Sequence, residues 1–234
     1  PRGACRSEDE TVLLNDEGEK IPAQMEALAF WPDQSVKWLL VQTFADIRPG
    51  KETKLKLVFG PGNSRQLGPS QTLDVKRTPS GYSVDTGVLR FTLSNANSGL
   101  FDRVWLDQNG DSQYTDDELM VSAETDQRRN FMDLGRTTNI EDYQPYSYTV
   151  AALEEELSEA KVEEIVAERE GTISVDLCVK GRFHHEKLSV GLPKRKNLGS
   201  EFWIRITAYA GKPYLKIKQT YVFEGNPDLE YVKS

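Results

Sequence analysis

Hydrophobic and polar residues alternate with a period of two along much of the first half of this chain. The clearest cases are residues 36–44, 53–59 and 82–93, which are rich in β-branched and aromatic side chains. This alternation is typical of strands that bury one face. The segments between them carry turn residues, among them Pro49-Gly50 and the run from Gly60 to Ser64.

The second half repeats this pattern at residues 172–180, 201–210 and 214–223, and residues 211–213 (Gly-Lys-Pro) predict a hairpin turn. Short strands separated by turns indicate an all-β fold, a single antiparallel β-barrel or sandwich. No internal repeat or convincing linker divides residues 1–234, so we interpret them as one domain.

One acidic segment gives conflicting signals. Residues 150–165 contain good helix formers, with Leu153 and Leu157 one helical turn apart. Residues 163–175, however, look like a hairpin that turns at Glu170-Gly171. The first part is therefore either a short helix or an acidic connector, and residues 162–168 are predicted to form a strand.

Charge and composition exclude several classes of protein. With 29 Lys and Arg against 37 Asp and Glu, the net charge of −8 argues against a nucleic-acid surface. No apolar run approaches the length of about 20 residues that a membrane-spanning helix needs. The chain begins with Pro1, without an initiator Met or the apolar segment of a signal peptide, so we expect it to be a fragment of a longer protein.

Two cysteines, Cys5 and Cys178, are too few to define a disulfide framework. Cys178 lies in an alternating strand pattern, where a buried free thiol is the ordinary interpretation. A disulfide between the two is the alternative.

The sharpest chemical signal is the acidic stretch at residues 107–118, which has the ligand spacing of a calcium loop. Oxygen-bearing side chains occur at loop positions 1, 3 and 5, and a carboxylate closes the loop at position 12. Position 7 would contribute a backbone carbonyl, and position 9 a hydroxyl or a bridging water. The predicted Ca²⁺ ligands are Asp107, Asn109, Asp111, Gln113, Thr115 and Glu118.

One position departs from the calcium-loop pattern, because Ser112 occupies position 6, where glycine is expected. The alternative is a solvated acidic turn between two strands. The strand pattern that leads into the loop favours a fixed clip between strands over a calcium sensor with flanking helices.

Catalytic motifs are absent from the sequence. His184 and His185, the only histidines, are adjacent on a predicted strand and therefore point to opposite faces. No nucleophile elbow, phosphate loop, dinucleotide fingerprint or paired Cys-x-x-Cys motif is present. We therefore expect no catalytic residues in this chain.

A segment rich in Arg, Asn and Tyr has the composition of a sugar-binding loop. Aromatic faces can stack on sugar rings, while Arg and Asn donate planar hydrogen bonds. The candidate carbohydrate-binding residues are Arg128, Arg129, Asn130, Arg136, Tyr143 and Tyr146. The alternative is an irregular crossing between strands that carries ordinary surface tyrosines.

Several motifs resemble one known module: Pro-Arg-Gly-Ala-Cys-Arg at residues 1–6, residues 12–24, and above all Trp-Pro-Asp-Gln-Ser-Val-Lys-Trp-Leu-Leu at residues 31–40. Residues 99–107, 208–214 and 225–228 fit the same module. Together they resemble the N-terminal RIFT-type β-barrel of exo-rhamnogalacturonan lyases and YetA-like proteins, over nearly the whole chain. In that family a helical toroid after the barrel carries the lyase activity, and the matching residues here include none of its catalytic positions.

The resemblance implies a first strand before the Pro-Arg-Gly motif, and without it the barrel would have an unpaired edge. Two hypotheses follow. In the first, the chain is an accessory carbohydrate-groove module of an extracellular or periplasmic lyase-like protein, whose partners are a pectin-type polysaccharide or a catalytic helical domain. In the second, it is a structural subunit of an extracellular assembly or fibre, completed by a strand from a neighbouring copy.

Overall fold

A computed structural model describes residues 2–47, 49–63, 68–70, 73–96, 100–123, 131–136, 156–184, 200–222 and 230–232, with the backbone alone for 131–136, 156–159, 184 and 230–232. This part of the chain is all-β, as the sequence predicts. It contains two single-turn 3-10 helices, Glu8–Glu10 and Asp116–Glu118, and none that is long and apolar enough to cross a membrane. Its strands are β1 Thr11–Leu14, β2 Ala23–Phe30, β3 Val36–Thr43, β4 Lys56–Phe59, β5 Asp74–Thr78, β6 Gly81–Asp85, β7 Leu89–Ser94, β8 Arg103–Leu106, β9 Leu119–Ser122, β10 Phe131–Arg136, β11 Glu156–Glu170, β12 Ser174–His184, β13 Glu201–Tyr209, β14 Leu215–Val222 and β15 Glu230–Val232.

The described strands pair only antiparallel, in four sheets. Two small sheets, β1–β4 and β2–β3, come from the N-terminal quarter of the chain. A five-stranded sheet has the order β5-β6-β7-β8-β9, and a six-stranded sheet has the order β14-β13-β12-β11-β10-β15. Among the strands that the structure describes, the sheets are not closed, so of the two predicted architectures, barrel or sandwich, the larger sheets adopt the sandwich.

The hydrophobic core lies between the two larger sheets. Alternate residues of β6, β7 and β8 face alternate residues of β11, β12 and β13 in one cluster, as the period-two pattern requires. Its largest fully buried side chains include Phe91, Phe183 and Phe202. The rings of Phe183 and Phe202 pack with their centroids 5.0 Å apart.

The ambiguous acidic segment is a strand wherever the structure describes it. Residues 156–165 belong to β11, so the helical alternative is wrong for them, and residues 150–155 lie outside the described part. The predicted strand at residues 162–168 and the hairpin at Glu170-Gly171 are confirmed, because β11 pairs with β12 from Glu170 opposite Val175. Burial of Ala160 and Val162 in the core explains why tertiary packing overrides helix propensity here.

The apparent single strand at residues 82–93 is two strands. A turn at Thr86, Gly87 and Val88 separates β6 from β7, and Gly87 has a φ of 86°. Thr86 Oγ1 accepts a hydrogen bond from Leu89 N at 2.9 Å and donates one to the Lys212 carbonyl at 3.0 Å. The turn thereby joins the five-stranded sheet to the predicted β13–β14 hairpin turn, which is confirmed.

One end of the β2–β3 sheet contacts the β11–β12 hairpin of the six-stranded sheet. The side-chain oxygen Oε1 of Gln24 accepts hydrogen bonds from Ile173 N and Ser174 N, both at 3.0 Å. Nearby, Arg169 forms ion pairs with Glu26 of β2 and, at 2.8 Å, with Asp176 of β12. Two buried hydrogen bonds and a partly exposed ion pair therefore join the N-terminal strands to the sandwich.

Both cysteines are free thiols, so the disulfide alternative is wrong. Cys178 is fully buried on the face of β12 opposite to the core, beside the ion pair between Arg205 and Glu168. Burial, followed by the neighbouring Glu168 charge, raises the pKa of the Cys178 thiol.

Candidate functional site

The acidic loop connects β8 to β9, which pair with each other at the edge of the five-stranded sheet. Strands, not helices, thus flank the loop on both sides. The loop begins at Asp107, whose backbone N–H donates to the Val88 carbonyl at 2.8 Å. It ends in the 3-10 turn Asp116–Glu118, directly before β9.

The first half of the loop folds back on its own side chains. Asp107 Oδ1 accepts from Gly110 N at 2.7 Å, and Asp107 Oδ2 accepts from Ser112 N at 2.9 Å. Asn109 and Asp111 each accept from the backbone N–H two residues further on, both at 2.8 Å. Backbone N–H groups of the following residues therefore hold the side-chain oxygens at positions 1, 3 and 5.

Ser112 makes the sharp turn for which glycine is expected. Its φ of 61° lies in the left-handed region, as does the φ of 77° at Gly110. A serine in this conformation costs about 1 kcal/mol relative to glycine, which the loop offsets through the hydrogen bond from Ser112 N to Asp107. Ser112 therefore replaces the expected glycine without changing the left-handed backbone conformation of position 6.

Glu118 closes the loop from position 12. Only 5% of this residue is exposed. Its Oε1 accepts from Gln108 N at 3.1 Å, and its Oε2 accepts from Thr115 N at 3.2 Å and Thr115 Oγ1 at 3.3 Å. The carboxylate therefore holds the 3-10 turn to the residue that follows Asp107.

The structure brings some of the predicted calcium ligands together and leaves others apart. Asp107 and Glu118 are buried in the loop, whereas Asn109, Asp111 and Gln113 are exposed, and Asn109 Nδ2 donates to Asp111 Oδ2 at 3.1 Å. No group of three or more His, Cys, Asp or Glu side chains in the described residues could hold a metal ion. The oxygen-only donor set suits a hard cation, and of its carboxylates Asp107 and Glu118 are buried whereas Asp111 is exposed.

Tyr114 anchors the loop to the β6–β7 hairpin, a contact that the sequence does not predict. Its hydroxyl donates to Asp85 Oδ1 at 2.7 Å, while Arg90 Nη2 donates to Asp85 Oδ2 at 2.7 Å. The Arg90 guanidinium also lies 4.2 Å from the centroid of the Tyr114 ring. Only the cross-strand pairing of Asp85 with Arg90 could have been found from the hairpin pattern.

Ionisation at this anchor follows from burial and from these hydrogen bonds. Burial alone raises the pKa of Asp85, but hydrogen bonds from Tyr114, Gly87 and Arg90 outweigh it and hold this pKa below its usual range. Burial, and next the hydrogen bond to Asp85, raises the pKa of Tyr114. Asp85 is therefore charged and Tyr114 neutral at physiological pH.

The candidate carbohydrate-binding residues cannot be placed side chain by side chain. Arg128, Arg129, Asn130, Tyr143 and Tyr146 lie outside the described residues. Arg136 is the last residue of β10, where the backbone alone is described. Likewise, His184 ends β12 and His185 lies beyond the described residues.

Comparison with known proteins identifies two consecutive matches. The PcRGLX-like N-terminal RIFT barrel domain matches residues 1–57, which contain β1, β2, β3 and the first part of β4. The PcRGLX-like protein central beta sandwich domain matches residues 73–234, which contain both larger sheets.

One curated relative is the uncharacterized protein YetA of Bacillus subtilis (strain 168), which is 24% identical over 234 residues. The alignment includes 99% of this chain but only 23% of the relative, so the chain spans about a quarter of the length of that protein. The resemblance drawn from the sequence motifs is confirmed. Because the central sandwich match covers well over half of the chain and the barrel match most of the remainder, this chain belongs to the PcRGLX-like family.

Proposed function

We propose that this chain is a non-catalytic, calcium-stabilised β module of an extracellular or periplasmic rhamnogalacturonan lyase-like protein. The observation that carries the calcium part is the burial of two loop carboxylates, Asp107 and Glu118, at positions 1 and 12 of the loop. The lyase-like part is supported by membership of the PcRGLX-like family.

Electrostatics supports a cation in this loop. Within the described part of the chain neither Asp107 nor Glu118 forms an ion pair, although both are more than nine-tenths buried. Asp111, Asp116 and Asp117 add further negative charge to the same twelve residues. Buried charges are ordinarily paired or coordinate a metal, and a divalent cation would remove the repulsion among these carboxylates.

The residues that would hold Ca²⁺ are Asp107, Asn109, Asp111 and Glu118, with the Gln113 carbonyl and Thr115 completing the sphere. The ion would fix the β8–β9 connection and, through Tyr114, the neighbouring hairpin. Its role in this proposal is structural.

Thermal unfolding in EDTA and in added calcium tests this proposal. A ligand that binds only the folded state at 100 times its Kd stabilises that state by about 2.7 kcal/mol. We expect the melting temperature to rise with calcium and to fall again on chelation, while magnesium at equal ionic strength serves as the control. No shift at millimolar calcium would refute the ion assignment.

The polysaccharide part of the proposal concerns binding without cleavage. The segment with Arg128, Arg129 and Asn130 is the candidate contact, because its residue types suit sugar recognition. We expect rhamnogalacturonan oligosaccharides to bind to the isolated chain without release of unsaturated products, measured by calorimetry and by absorbance of those products. Release of such products by this chain alone would contradict the non-catalytic assignment.

A second candidate function is a structural subunit completed by strand donation. The open sheets favour it, since β1 pairs only with β4 and β2 only with β3 among the described strands. An unpaired edge is a template for a strand from another chain. Light scattering over a hundredfold range of concentration distinguishes the two candidates, because filaments or oligomers are expected only from the second.

A further inference from the structure

A cleft of about 570 Å³ lies where the N-terminal strands meet the sandwich. One wall comes from the end of β3 and the residue after it, including Gln42 and Phe44. The opposite wall carries Tyr209, Tyr214 and Lys216 of the β13–β14 hairpin. Its volume falls within the range of small-molecule sites, about 300–1,000 Å³.

Three aromatic rings line this cleft in a row. The centroids of Phe44 and Tyr209 are 6.3 Å apart in an edge-to-face arrangement, and those of Tyr209 and Tyr214 are 5.8 Å apart. Tyr214 is 54% exposed despite this packing. A row of partly exposed rings offers apolar faces together with phenolic hydroxyls, a combination that suits the C–H face and the hydroxyl groups of a sugar ring.

Two lysines lie at or beside the cleft, although the chain as a whole is acidic. Lys216 lines the cleft, and Lys212 Nζ lies 4.8 Å from the centroid of the Phe44 ring. Neither lysine forms an ion pair within the described residues. Asp176, an acidic residue whose charge acts on Tyr209, already accepts from Arg169 at 2.8 Å and from Thr207 at 2.6 Å.

The cleft is also preorganised. Gln42 Oε1 accepts from the Ser174 hydroxyl at 3.4 Å, and Thr43 Oγ1 donates to the Pro22 carbonyl at 2.6 Å. The Lys212 carbonyl accepts from Thr86 Oγ1, so the hairpin turn is held as well. Side chains fixed before a ligand arrives lose less entropy when it binds.

From these contacts we propose that the cleft binds a saccharide that carries a carboxylate, with a sugar ring against Tyr214 and the carboxylate beside Lys216. This inference rests on the proposed polysaccharide function, but it assigns the contact to residues other than Arg128 and its neighbours. A uronate fits better than a neutral sugar, because the Lys216 ammonium can donate a hydrogen bond to a carboxylate of opposite charge, which is stronger than a bond to a neutral sugar hydroxyl.

Calorimetric titration with trigalacturonate, and with neutral maltotriose, tests the cleft. We expect wild-type affinity for trigalacturonate to exceed that for maltotriose by about tenfold or more, and both Y214A and K216M to lower it by about tenfold. Y214F retains the ring and is expected to bind within about twofold of wild type. K218M, a lysine two residues along the same strand that does not line the cleft, is the matched control and should bind like wild type.

Thermal unfolding of each variant shows that a loss of binding does not come from misfolding. Wild-type affinity in both Y214A and K216M would overturn the cleft assignment, as would equal binding of the acidic and neutral trisaccharides. Loss of binding in R128A/R129A with full binding in Y214A and K216M would likewise overturn it, yet leave the proposed function intact. If trigalacturonate does not bind, the assignment of the cleft as a uronate site is wrong. The proposed polysaccharide function is refuted only if rhamnogalacturonan oligosaccharides also fail to bind.

Discussion

Gln24 and Ser174 are 150 positions apart in the sequence and joined by one hydrogen bond, in which Ser174 N donates to Gln24 Oε1 at 3.0 Å. The same oxygen also accepts from Ile173 N, at 3.0 Å. Ile173 and Ser174 are almost fully buried. A single side chain of the RIFT barrel segment therefore satisfies two buried backbone donors of the sandwich.

Replacing Gln24 by alanine should destabilise the protein substantially. Each buried N–H left without an acceptor costs about 1–3 kcal/mol, so we expect Q24A to lower the free energy of unfolding by at least about 2 kcal/mol. Urea unfolding measures this change. Q219A, at an exposed position of β14, is the control and should change stability by less than about 0.5 kcal/mol, and an equally small effect of Q24A would contradict the docking role.

Gly171 leaves room for the Gln24 amide. A Cβ at this position would lie 2.0 Å from Gln24 Cδ. We expect G171A to displace the amide from its two donors and to destabilise the protein by about 1–3 kcal/mol. In the Q24A background the cost of G171A should become much smaller, because the clashing group is gone. If G171A destabilised wild type and Q24A equally, the close approach of the Gln24 amide would not be the reason that glycine is needed at position 171.

The hydrogen bond from Tyr114 to the Asp85 carboxylate should make the free energy of unfolding depend on pH. A carboxyl group whose pKa is lower in the folded state stabilises that state above its unfolded pKa, about 3.9, and the contribution is lost as the pH falls through the folded pKa. We expect Y114F to lower the free energy of unfolding by about 1 kcal/mol at pH 7 and the difference from wild type to shrink below about pH 4.

Urea unfolding between pH 2.5 and pH 7 measures the effect of Y114F. Y214F is the matched control, because the Tyr214 hydroxyl has no hydrogen-bond partner among the described residues. A difference between Y114F and wild type that stays constant down to pH 2.5 would show that the Asp85 charge is not involved.

A substitution at Asp111 can test calcium binding without changing the stability of the calcium-free loop. D111N retains the Oδ1 acceptor for Gln113 N, and loses the charge and the exposed hydrogen bond from Asn109 to Oδ2. We therefore expect nearly unchanged stability in EDTA and a calcium affinity about tenfold weaker than that of wild type, measured by calorimetry. D117N, at an exposed position outside the predicted ligand set, should weaken binding much less. A wild-type affinity in D111N would contradict the proposed coordination.

The sequence by itself determined the strands, the hairpin turns and the acidic loop, which depend on residues close together in the chain. Period-two alternation predicted the strands of the sandwich, and glycine predicted the hairpin turns at Gly171 and Gly211. The acidic loop is local as well, since the Asp107, Asn109 and Asp111 side chains bond to backbone only two to five residues away. These features rest on contacts within a few residues and are therefore visible in one stretch of sequence.

Tertiary structure alone decided the rest. Residues 156–165 became strand because Ala160 and Val162 enter a core built by distant strands, a gain that helix propensity cannot match. The Tyr114 anchor, the Gln24 contact and the aromatic cleft each join residues from 29 to 170 positions apart. Such contacts depend on how the sheets pack against one another, and no local pattern of residues encodes that packing.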